Sequence, residues 1–129
     1  METITSTHPD YLANQDNWEF FLRSYLGGDD YRGGNYLVRY LNEANEDYSR
    51  RLDLTPVDNH CSNVVHIYSS FLWKNPPTRY LNSLEGDQAV EHMMRDVDLD
   101  GQSLNTFMKE AQIWSSVYGH CWIIVDKPK

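Results

Sequence analysis

The chain has 129 residues, a formal net charge of -8 and 40% apolar residues. This length allows one core, and the balance of apolar and charged residues excludes both a disordered chain and a membrane-embedded one. Nineteen acidic against eleven basic side chains argue against a free-standing nucleic-acid binder, whose phosphate contacts need Lys and Arg. The longest strongly apolar run, Cys121 to Val125, is far too short to span a bilayer, so no membrane association is expected. The opening residues lack a basic and apolar leader pattern, so no secretory signal is expected. Cys61 and Cys121 make no disulfide framework and suit a reducing compartment. Aromatic residues reach 13%, and that many rings need surfaces to pack against.

In chain order, residues 9–26 read as a helix with Trp18, Phe21, Leu22 and Tyr25 on one face. Thr7 is the expected N-cap and Pro9 an early helical residue. Gly27 and Gly28 stop the helix, and the Asp29-Asp30 that follows is turn chemistry. Leu37, Leu41, Ala44, Tyr48 and Leu52 then recur at helical spacing, which predicts an amphipathic helix of about four turns. Its other face carries Arg39, Glu43, Glu46, Asp47, Arg50 and Arg51. There Glu43 and Asp47 oppose each other at i,i+4, while Glu46 and Arg50 have the favourable order. That charged face is expected to be solvated.

Thr55-Pro56 breaks the pattern, and Asp58 or Asn59 is positioned to cap the next helix. Val57, Cys61, Val64, Val65, Tyr68, Phe71 and Leu72 form its wide apolar stripe, the most buried-looking in the chain. It stops at Asn75-Pro76-Pro77. A short strand over Thr78–Leu81, a turn over Leu84–Asp87 and a short helix over Gln88–Arg95 are expected next. After a polar break, Leu104, Phe107, Met108, Ala111, Trp114, Val117 and Tyr118 share one helical stripe, closed by Gly119. Cys121–Val125 then reads as a buried strand ended by Asp126-Lys127-Pro128. The fold class is therefore predominantly α, in the α+β sense: several amphipathic helices plus one late buried strand. Such a strand needs partners for its backbone groups, and no convincing one occurs in the sequence. The expectation is a segment of a longer polypeptide, or a chain completed by another subunit.

The chemical motifs are sparse. Asp96-Val97-Asp98-Leu99-Asp100-Gly101 opens like an EF-hand loop, so Asp96, Asp98 and Asp100 are the residues a calcium ion would use. The remainder of that pattern fails. Phe107 stands where the bidentate Glu belongs, Ser103 occupies the aliphatic position, and Glu110 lies a turn too far. The loop is expected to cap the next helix, where acidic residues suit the dipole. His60-Cys61 and His120-Cys121 lack zinc-ligand spacing, and both cysteines are expected as small buried hydrophobes. Ser62 beside His60 and His66, or His92 near Asp96, has no nucleophile elbow, and no P-loop or Rossmann pattern occurs. Neither an enzyme nor a cofactor is expected. Trp18, Tyr25, Tyr48, Tyr68, Trp73 and Trp114 are candidates for helix packing or subunit contacts rather than for base stacking.

The ordered breaks carry a resemblance. They run from the Trp and Tyr of the first helix through Gly33-Gly34-Asn35-Tyr36 and Tyr48-Ser49-Arg50-Arg51 to a helix ending Phe71-Leu72-Trp73-Lys74-Asn75-Pro76-Pro77. Asp98 to Leu104 with Phe107 follows, and last comes the stretch from Tyr118 through Val125-Asp126-Lys127-Pro128. This set resembles the N-terminal part of the portal proteins of tailed bacteriophages. In that family a Phe-x-x-Lys-x-Pro-Pro-like stop is followed by an Asp-x-x-Gly-x-Ser-Leu turn, a helix and a Val-Asp-x-Pro strand. The resemblance implies that residues 1–129 are the beginning of a portal wing region. It implies a ring of identical subunits, expected to be a dodecamer, at one capsid vertex of the virion. Double-stranded DNA passes through such a ring without sequence-specific binding, and the ring meets the major capsid protein, the terminase and head-completion, adaptor or tail proteins. The other expectation is a small helical head-completion or adaptor protein completed by a partner subunit.

Overall fold

The computed structural model describes residues 7–126. Helix takes up 61% of them and no strand occurs among them, so the predominantly α expectation holds. The chain divides into two units, the first ending at Val64 and the second beginning at Val65.

In the first unit, α1 spans Pro9–Leu26 and α2 spans Gly28–Gly33. His8 rather than Thr7 caps α1: its ring Nδ1 accepts from the Asp10 N–H at 3.2 Å. The pair Gly27-Gly28 ends α1 as expected, but a second helix starts at once instead of a turn. Asp29 and Asp30 fall in its first turn and Arg32 in its last, the polarity that a helix dipole favours. Gly27 (φ 70°, ψ -164°) occupies backbone space that essentially only glycine enters. Arg23 ties the two helices together, pairing with Glu19 and donating to the Asp30 carbonyl at 2.9 Å. Against them sits an aromatic cluster. Tyr36 meets Phe20 edge-on at 4.8 Å and Tyr31 at 5.2 Å. A Cβ on Gly34 would fall 2.1 Å from the Tyr36 ring, which gives the Gly-Gly-x-Tyr spacing a steric reason.

The helix predicted from Leu37 onward begins later, as α3, Asn45–Leu54. Asn35 takes φ 54°, and the carbonyls that would continue a helix through 37 and 38 are taken by side chains. Tyr48 Oη donates to the Leu37 carbonyl at 2.9 Å, and Arg51 Nη2 donates to the Val38 carbonyl at 2.9 Å. Leu41 is consequently 98% exposed. The expected Glu43–Asp47 repulsion disappears, because Glu43 lies before α3 and bonds Arg51 instead. Glu46 and Arg50 form no ion pair among the described residues.

Next comes α4, His60–Leu72, whose first turn is capped by Asn59: its Oδ1 accepts from the Ser62 N–H at 3.0 Å. The Asn59 amide also donates back to the carbonyls of Tyr25 and Leu26, at 2.7 and 3.0 Å. One side chain thus closes the C-terminus of α1 and opens α4.

In the second unit, the expected strand at Thr78–Leu81 is absent; those residues have no regular structure. Arg79 instead donates to the Asn105 Oδ1 at 2.6 Å. A 3-10 turn follows at Asn82–Leu84, then α5 over Gln88–Arg95, capped by the Asp87 carboxylate on the Ala89 and Val90 N–H groups. α6 spans Leu104–Tyr118, with Ser103 as N-cap and Gly119 in the left-handed region as C-cap. Its expected stripe is half-buried or better at every position, with Val117 at 8% exposure.

The late strand is not seen. Cys121–Val125 has no regular structure, and Trp122, Ile124 and Val125 are 86–90% exposed. A strand is held by bonds to a neighbour, and no backbone–backbone bond reaches this segment among the described residues. The Lys127-Pro128 expected to end it lies outside the described residues.

Candidate interaction surface

Burial is the unusual property of this chain. Among the described residues only Gly27, Ser69 and Val117 are buried. The large apolar side chains that stay exposed are organised along the chain.

The clearest case is α4. Its less exposed positions are Ser62, Val65 and Ser69, with Trp73 just past its end, while Val64, Ile67, Tyr68, Phe71 and Leu72 are exposed by 55–73%. The stripe expected to be the core is therefore split: Val57 and Val65 are half-buried, while Val64, Tyr68, Phe71 and Leu72 face outward. Cys61 lies on the outward side, and both cysteines are free and exposed rather than buried. Ser69, 1% exposed, has no hydrogen-bond partner for its hydroxyl among the described residues. The second exposed apolar stretch is Trp122–Val125.

The sequence-derived aromatic candidates separate into two groups. Trp18 packs on Tyr11 at 5.3 Å, Trp114 stacks on Tyr118 at 6.1 Å, and Tyr48 reaches Leu37 through its hydroxyl. These three, with Tyr25 and Trp73, are half-buried; only Tyr68 is exposed. The more exposed rings that sequence reasoning passed over are Tyr40, Phe71, Tyr80 and Trp122, at 67–86%. Phe71 carried a signal in its place on the α4 stripe, but periodicity marks a face to be covered without saying which chain covers it.

The polar constellations serve the chain's own backbone. In the first unit Glu43, its side chain 9% exposed, receives two bonds from Arg51 at 2.7 Å. The Arg51 guanidinium, followed by desolvation and by the Tyr40 N–H, sets the balance that holds the Glu43 carboxyl below its ordinary value. The same guanidinium lies 4.4 Å from the Tyr40 ring centre. Two open depressions of about 380 and 410 Å³ are lined by Arg51 and Arg32 respectively, both already paired with carboxylates.

Asp96, Asp98 and Asp100 are not gathered as metal ligands, and no cluster of three or more metal-binding side chains occurs among the described residues. Asp98 Oδ1 accepts from the N–H groups of Asp100 and Gln102, and Asp96 Oδ1 from that of Gly101. Those backbone donors hold the Asp98 carboxyl below its usual range. With the Val97 N–H on the Gln102 carbonyl at 2.8 Å, the loop is closed by its own carboxylates and delivers Ser103 as the α6 cap. Among the described residues no helix is long and apolar enough to cross a membrane.

No protein-family model matches the chain, and searches of curated proteins and of solved structures found no match.

Proposed function

We propose that this chain is a structural component of a virion rather than an enzyme, the N-terminal wing segment of a tailed-bacteriophage portal. In this reading it is one of a ring of identical subunits at a capsid vertex through which double-stranded DNA is packaged and ejected. The observation that carries the proposal is the pair of exposed apolar stretches, on α4 and at Trp122–Val125, which call for coverage by other protein surfaces. The ordered breaks support it as well: the α4 stop before Pro76-Pro77, the Asp98–Leu104 turn leading into α6, and the Gly119 exit. A net charge of -8 suits a passage that lets DNA slide instead of gripping it.

The Cys121–Val125 segment supports a second reading, a head-completion or adaptor protein completed by a partner. Its β-branched apolar side chains, and a backbone unpaired among the described residues, fit a strand that forms on the edge of another sheet. Electron microscopy of the polypeptide that contains this sequence tests the two. A ring with a central channel is the expected result. A species that stays monomeric at micromolar concentration overturns the portal reading, and a complex of one copy with one partner chain favours the adaptor.

A further inference from the structure

The geometry points to the outward arc of α4 as the surface on which a second copy of this chain docks. At 100° per residue, Val64, Ile67, Tyr68, Phe71 and Leu72 span an arc of about 140°, a continuous face rather than scattered contacts. The less exposed residues Ser62, Val65 and Ser69, with Trp73 just past the helix end, lie on a separate arc, so covering the outward face leaves them as they are.

Charge selects the occupant. Each copy carries a net charge of -8, so two copies repel wherever acidic surfaces meet. Among the described α-helices α4 is the one without Asp, Glu, Lys or Arg, and the uncharged stretch extends from Asn59 to Trp73. It is the helical face that can meet another copy without bringing a charge of its own against that copy's acidic surface. A partner of opposite charge would gain nothing from this face and would find better purchase elsewhere on so acidic a chain. Area agrees: the exposed parts of the five side chains sum to roughly 650 Å², close to the approximately 800 Å² each partner gives to a standard interface. Tyr68 and Phe71 at its middle are the rings that anchor such contacts. The contact supplies a location for the identical-subunit interface of the portal reading, and to that extent rests on it.

Sedimentation velocity of the full chain over roughly 1–100 μM, the range open to an interface of this size, is the test. The wild type associates. Phe71→Glu, which buries a charge at the centre of the arc, weakens association about tenfold or more. Ser70→Glu, on the same helix outside the arc, leaves it unchanged. Circular dichroism checks that both variants keep their helix content, as exposed positions should. A ring lost in Phe71→Glu upholds both proposals. A closed dimer lost in Phe71→Glu upholds the α4 contact and overturns the ring. A ring that survives Phe71→Glu overturns the α4 contact and leaves the portal reading standing. A wild type that stays monomeric throughout, even if it captures some other protein, overturns the α4 contact.

Discussion

Replacing Asn59 with alanine removes three hydrogen bonds with one substitution, and the structure separates their worth. The Asn59 Oδ1 on the Ser62 N–H is an N-cap, worth about 1 kcal/mol. The amide bonds to the Tyr25 and Leu26 carbonyls face partly to solvent and together contribute about 1 kcal/mol more. Asn59→Ala therefore costs about 2 kcal/mol, which in a unit this small lowers Tm by roughly 8–16 °C. Asn59→Ser divides the sum: serine caps as well as asparagine but falls short of the α1 carbonyls, so it loses about 1 kcal/mol. Urea unfolding followed by far-ultraviolet circular dichroism, with m unchanged, reads both values. If the alanine variant stays within about 0.5 kcal/mol of wild type, the size of an ordinary surface substitution, the double-cap argument is wrong. Serine and alanine variants of equal stability would show that the N-cap contributes nothing.

The Ser69 hydroxyl is buried without a partner among the described residues, so Ser69→Ala raises stability by about 1 kcal/mol. A loss of that size in the denaturation midpoint would mean that the hydroxyl is bonded after all. Because Arg51 holds the folded Glu43 carboxyl below its ordinary value of 4.5, the unfolded chain takes up that proton first as pH falls. The contribution of Glu43 is thus complete above the ordinary value and is lost as pH falls through the lower folded one. Glu43→Gln is accordingly less stable at neutral pH and shows a shallower acid limb in Tm against pH; an unchanged limb refutes the pairing. Calcium leaves Tm unchanged, since Asp96 and Asp98 are engaged by their own loop. A calcium-dependent rise that vanishes in Asp98→Ala would restore the EF-hand reading.

What the sequence determined by itself is local. α1 runs from Pro9 to the glycine pair, α5 covers Gln88–Arg95, and α6 ends at Gly119, because proline, capping side chains and left-handed glycine act within one turn of the chain. Contacts beyond that reach decided the rest. Tyr48 and Arg51 reach back 11 and 13 residues to the carbonyls of Leu37 and Val38 and delay α3, although the apolar spacing continues through Leu37 and Leu41. The late strand failed for a related reason. Its composition is right, but a strand exists only with a neighbour, and none is present among the described residues. The periodicity of α4 showed a face to be covered, yet only the tertiary structure showed that Ser62, Val65 and Ser69 turn inward while Val64, Tyr68, Phe71 and Leu72 face outward. Period is a property of one chain, and burial is a property of whatever that chain packs against.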